Sequence, residues 1–127
     1  MAPSVTERAM NQTDPATLQK MLAAAKRQAL RAVPTADELA AVRRLLEVAR
    51  HDTGQSKRVA NFLLSWWNAT NCGGFDLTDL WCVDEDLATD MLMVIGLVAR
   101  VHKYPPAFGF EDDFLSILRA RRPKLFE

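Results

Sequence analysis

From Met91 to Ala99 the chain runs nine residues without a charge, and Leu87, Met91, Leu92, Met93, Val94, Ile95, Leu97 and Val98 spread apolar bulk nearly all round a helix from Asp84 to about Lys103. A helix of that kind is surrounded by neighbours, so the rest of the chain must supply several packing partners. The run is far short of the roughly twenty residues that cross a bilayer, which argues against a membrane partner. Elsewhere the apolar positions recur at helical spacing, and no stretch alternates every second residue between turns. The expected fold class is all-α: a compact bundle of about five helices, with the Trp-rich third and apolar fourth central.

Punctuation divides the chain. Residues 1–13 are polar and unpatterned and are expected to form a flexible N-terminus. Asp14 caps a helix that starts at Pro15, where the missing proline N–H costs nothing. Leu18, Met21, Leu22, Ala25 and Ala29 line one face of it, and Pro34 ends it. Thr35 and Glu38 form a capping-box pair that opens a second helix with Leu39, Val42, Leu46 and Ala49 on its stripe, stopping near Arg50. Residues 14–50 thus read as an Ala/Arg-rich helical hairpin, and 51–127 as the core helical part of a single domain.

The third helix is expected from about Gln55 to Ala69, with Val59, Phe62, Leu63, Trp66 and Trp67 on one wide face. Cys72, Gly73 and Gly74 close it. Phe75–Val83 is too short and mixed for a full helix, although Thr78–Trp81 has room for one turn. Phe110, Phe114, Ile117 and Leu118 mark a last helix that stops before Pro123. All ten aromatic residues lie from Phe62 onward, whereas 12 of the 18 alanines precede residue 50, so the heavy core is C-terminal.

Sixteen basic and sixteen acidic residues cancel, so no global field draws the chain to nucleic acid or anionic lipid. The charges are nevertheless segregated: residues 1–58 sum to +4, 59–99 to −6 and 100–127 to +2. Helix dipoles explain much of this, because anions are favoured at helix starts and cations at helix ends. The fourth helix begins Asp84, Glu85, Asp86, and the fifth ends Arg119, Arg121, Arg122. The third breaks the rule by opening Gln55, Ser56, Lys57, Arg58. Two readings follow. An external phosphate or carboxylate occupies this end, gathered by free N–H groups with Lys57 and Arg58; or Asp52 caps the helix and acidic residues of the 76–90 segment pair with the two cations.

Catalytic and metal signals are thin. Gly54-Gln55-Ser56-Lys57 lacks the spacing and the preceding strand of a phosphate-binding loop. Cys72, Cys82, His51 and His102 have no zinc-type spacing. The acidic run Asp76, Asp79, Asp84, Asp86 places Leu87 where a calcium loop needs its closing Glu. The expectation is therefore no enzyme, no catalytic residue, no metal and no cofactor. Two cysteines, too few for a disulfide framework, suit a reducing cytoplasmic setting. Trp81, Phe75, Phe108, Phe110 and Tyr104 flank the fourth helix as lids over the core or as anchors for a partner.

The stretch from about His51 to Pro123 carries Asp52-Thr53-Gly54-Gln55-Ser56, Val59-Ala60-Asn61-Phe62-Leu63-Leu64, Trp66-Trp67-Asn68, Gly73-Gly74-Phe75-Asp76-Leu77 and Asp79-Leu80-Trp81. It resembles an uncharacterised family of small proteins from bacterial mobile elements, known only as a domain of unknown function. The resemblance implies a bacterial cytoplasmic setting and offers no reaction or catalytic residue.

The leading expectation is a non-catalytic helical interaction protein of a mobile element that binds a host or element-encoded protein, inhibitors of host defence included. Its acidic docking surface would be Asp76, Asp79, Asp84, Glu85 and Asp86, and its anion- or partner-binding set Gln55, Ser56, Lys57 and Arg58. The alternative is a DNA-binding regulator with a helix-turn-helix-like segment at 36–69, those last four residues reading base edges. A homodimer is compatible with either, since the Ala-rich first helix has the means to pack on its own domain or on a second copy.

Overall fold

Four of the helices begin at a short polar residue, Asp14, Thr35, Thr53 or Asp84, and the last begins after Phe110 with Glu111, Asp112 and Asp113. The computed structural model describes residues 14–127; the stretch 1–13, expected to be flexible, lies outside them. Among the described residues the fold is all-α: α1 (Pro15–Arg31), α2 (Ala36–Ala49), α3 (Gly54–Cys72), α4 (Glu85–Arg100) and α5 (Glu111–Arg121), with 3-10 turns at Leu77–Cys82, Pro105–Phe108 and Pro123–Phe126.

The chain divides between Val33 and Pro34. This replaces the expected boundary at residue 50, because α2 is built into the larger unit through buried Ala41, Val42, Leu45, Leu46 and Ala49. α1 stands as a unit by itself. The Asp14 carboxylate accepts from the Thr17 N–H at 2.8 Å, and no residue of the helix is buried.

In the unit Pro34–Glu127, α2 packs on α3 and α4. The capping box at its start is formed in both directions: Thr35 Oγ1 accepts from the Glu38 N–H, and Glu38 Oε1 accepts from the Thr35 N–H. Glu38 also takes the Arg100 guanidinium in a forked pair, which holds its carboxyl down at about 2. Arg44 makes a second fork onto Asp90, with both contacts at 2.9 Å. Pairing the start of α2 with the end of α4, and its middle with Asp90, makes the two helices antiparallel.

α3 supplies Val59, Ala60, Leu63 and Leu64 to the core, and its half-buried Trp66 and Trp67 meet the edge of Phe114 at 5.9 and 5.8 Å. The helix does not simply end at Ala69. It breaks at Asn68, whose carboxamide oxygen accepts from the Asn71 N–H, and a further turn carries it to Cys72. Gly73, at φ 98°, turns the chain away in a conformation that a side chain would oppose.

The expectation for α4 holds for only one side. Met91, Val94 and Leu97 are fully buried, but Leu92 is 58% and Ile95 37% exposed. α2 and α3 pack on the side that carries Met91, Val94 and Leu97, and Leu92 and Ile95 on the other side are exposed.

Candidate functional site

The start of α3 and the acidic segment form one corner of the molecule. Thr53, not Asp52, caps α3: its Oγ1 accepts from the Ser56 N–H at 3.0 Å and lies 2.8 Å from the Ser56 hydroxyl. Asp52 lies 91% exposed and faces Arg121 at 3.7 Å. Capping falls to Thr53 because it is the residue with extended backbone immediately before the first helical turn.

The side chains expected to gather an external anion are largely engaged within the molecule. Ser56 is 1% exposed and so cannot reach a base edge or a phosphate. Arg58 Nε lies 3.4 Å from Asp79, and its Nη1 donates to the Gly54 carbonyl at 3.4 Å. The Gln55 carboxamide bridges to Asp84, donating to its carboxylate at 3.2 Å while accepting from its backbone N–H. Of these four residues, it is Lys57 that is exposed and has no ion-pair partner among the described residues. Of the internal reading, one part is present, the pairing of Arg58 with Asp79, whereas the cap is Thr53 and Lys57 has no ion-pair partner among the described residues.

These contacts brace the segment that follows Gly74. Asp76 accepts from both the N–H and the hydroxyl of Thr78, at 2.9 and 2.8 Å. Those hydrogen bonds favour the charged form and hold its carboxyl below the usual carboxylate range. The turn Leu77–Cys82 is thus fixed near its start by Asp76, in its middle by Asp79 on Arg58, and just beyond its end by Asp84 on Gln55. Asp84 begins α4 by position only, since its carboxylate faces Gln55 and makes no cap.

The aromatics flanking α4 divide into two groups. Phe75 packs edge-on against Phe62 at 5.2 Å, Phe108 stacks near Trp66, and Phe110 is buried, so these three are lids. Trp81 and Tyr104 are exposed, at 83% and 66%, and Leu77, in the same turn as Trp81, is 69% exposed. Of the expected acidic surface, Glu85 and Asp86 are exposed with no side-chain partner among the described residues, Asp76 is exposed, and Asp79 and Asp84 serve the bracing.

The remaining candidate residues have structural places. Arg121 donates to the carbonyls of Ala49 and His51 at the end of α2. Arg122 donates to the Cys72 carbonyl and to Asn61 Oδ1, closing the end of α3. Cys72 is buried, which pushes its thiol up, and Cys82 is exposed. Among the described residues no group of three His, Cys, Asp or Glu side chains is placed to hold a metal. No helix there is long and apolar enough to cross a membrane.

Residues 39–122 match the model of a family described only as of unknown function, DUF7673. The match begins inside α2, twelve residues upstream of the resemblance read from His51 onward, in accord with α2 being part of the same compact unit. No curated protein and no solved structure matches the chain.

Proposed function

We propose, for a chain that belongs to the family of unknown function DUF7673, a non-catalytic role in which the corner at residues 76–86 binds a protein partner. The observation that carries this reading is Trp81, exposed over most of its surface on a turn held by three separate side-chain contacts. A tryptophan already fixed in place loses little freedom on binding, and such residues dominate the energetics of many protein interfaces. Leu77 adds apolar surface, and Asp76, Glu85 and Asp86 give an acidic rim. The complementary partner is a protein surface with an apolar pocket beside basic groups. The resemblance to mobile-element proteins supports a host or element-encoded protein, a defence component included, as the kind of partner.

The test is affinity capture of the tagged chain from the cells that naturally make it. Capture of one specific protein is expected, with at least tenfold less of it on Trp81→Ala. Glu85→Gln with Asp86→Asn, a pair that spares the braced Asp84, should slow association and flatten its salt dependence. Capture unaffected by both changes, or recovery of nucleic acid that is lost on Lys57→Glu, would overturn the reading.

A further inference from the structure

The uncovered side of α4 is not a scatter of apolar residues. Ala88, Leu92, Ile95 and Ala99 follow one another at spacings of four, three and four, the narrow seam by which one helix packs along another. Leu92, Ile95 and Ala99 are exposed and Ala88 half-buried. Gly96 borders the seam, and a side chain there would meet nothing among the described residues. Glycine within a helix is less favourable than alanine, and no contact among the described residues accounts for it. An approaching second helix would.

α1 carries the matching seam. Leu18, Leu22, Ala25 and Ala29 repeat the same four-three-four spacing, and no residue of the helix is buried. Its length of 17 residues is close to the 16 of α4. Placed antiparallel, the large residues Leu18 and Leu22 face Ala99 and Ile95, and the small residues Ala25 and Ala29 face Leu92 and Ala88. Charge favours the same direction: in this register the last turn of α1, with Arg31, would lie over Asp86, whereas the parallel arrangement would bring that turn to Val101, beside His102 and Lys103. Antiparallel helix dipoles add to the preference.

Chain connectivity decides whose α1 this is. The start of α2 lies at the C-terminal end of α4, fixed there by Glu38 on Arg100. Only Ala32, Val33, Pro34 and Thr35 join α1 to α2. Those five steps from Arg31 to Ala36 reach at most about 18 Å, whereas the opposite end of α4 is about 24 Å away along its axis. The antiparallel arrangement therefore lies beyond the reach of a chain's own α1.

We propose that α1 of a second copy seats antiparallel on the Ala88–Leu92–Ile95–Ala99 seam of α4, reciprocally, in a two-fold dimer. This inference does not rest on the Trp81 reading; the seated helix would lie beside Asp86 of that corner, and Leu92→Glu, outside the corner, tests the dimer alone. Light scattering of the full-length chain across a range of concentrations should give a dimer, and Leu92→Glu or Leu22→Glu should each give a folded monomer by circular dichroism. Register is read by disulfide trapping in a Cys82→Ser background. A mixture of Ala29→Cys chains and Ala88→Cys chains should form a cross-linked heterodimer, whereas Ala29→Cys with Ala99→Cys in one chain should not close internally. A monomer at all concentrations, a dimer that fails to trap 29 with 88, or an internal 29–99 disulfide would each overturn the proposal.

Discussion

α1 and α2 are neighbouring amphipathic helices that start alike and end differently. Both have a side-chain cap that accepts from the third helical N–H, and both carry an apolar stripe. Yet α2 buries five apolar side chains and α1 none. α2 also carries Glu38 and Arg44, which reach across to Arg100 and Asp90 and fix its direction on α4. α1 has no acidic residue within its span. Local signals specify a helix; what it packs against is specified by side chains far away in sequence.

The largest effect expected from that contrast is in the core. Leu45→Ala should cost about 2–5 kcal/mol in urea unfolding, because the site is fully buried and leaves a cavity. Leu22→Ala in α1, measured at concentrations where the chain is monomeric, should cost no more than about 0.5 kcal/mol. Equal costs would erase the distinction between the two helices.

Next comes Glu38. Its carboxyl is held at about 2 by Arg100 and by the capping N–H, against 4.5 when free, so its contribution is complete above pH 4.5 and is lost as pH falls from there towards 2. Glu38→Gln should lose about 2–3 kcal/mol at pH 7 and flatten the acid limb of the stability profile between those values. An unchanged acid limb would show that the fork does not hold α2 to α4.

A smaller effect is expected at the corner. Asp79→Ala removes a partly exposed pair with Arg58 and should cost less than about 1 kcal/mol in global stability, while speeding amide exchange within Leu77–Cys82. The smallest is chemical: a thiol reagent should modify Cys82 at once and leave Cys72 unreacted until the chain unfolds, since one is exposed and the other buried with its thiol pushed up.

The helix order was legible because its signals are local: Asp14, Thr35, Gly73 and the prolines at 15, 34, 105 and 123 act within a few residues of themselves. The one-turn reading of Thr78–Trp81 sits inside the observed turn Leu77–Cys82 for the same reason. What periodicity does not carry is sidedness. Nothing in the run Leu87–Val98 distinguishes Met91 from Leu92, because which is buried depends on where α2 and α3 lie. The cations at the start of α3 pointed to a negative partner, and the partner of Arg58 is Asp79, twenty-one residues away. Lids and an exposed aromatic are likewise indistinguishable until Phe62 and Trp66 fix where the core ends.

The most direct measurement places a photo-reactive amino acid at position 81 or at position 57 of the full chain, in the cells that naturally make it. Cross-links from position 81 to one other polypeptide, and none from position 57, are the predicted result. Cross-links from position 57 to nucleic acid or protein, with position 81 silent, would contradict the assignment of the binding surface to the Trp81 corner.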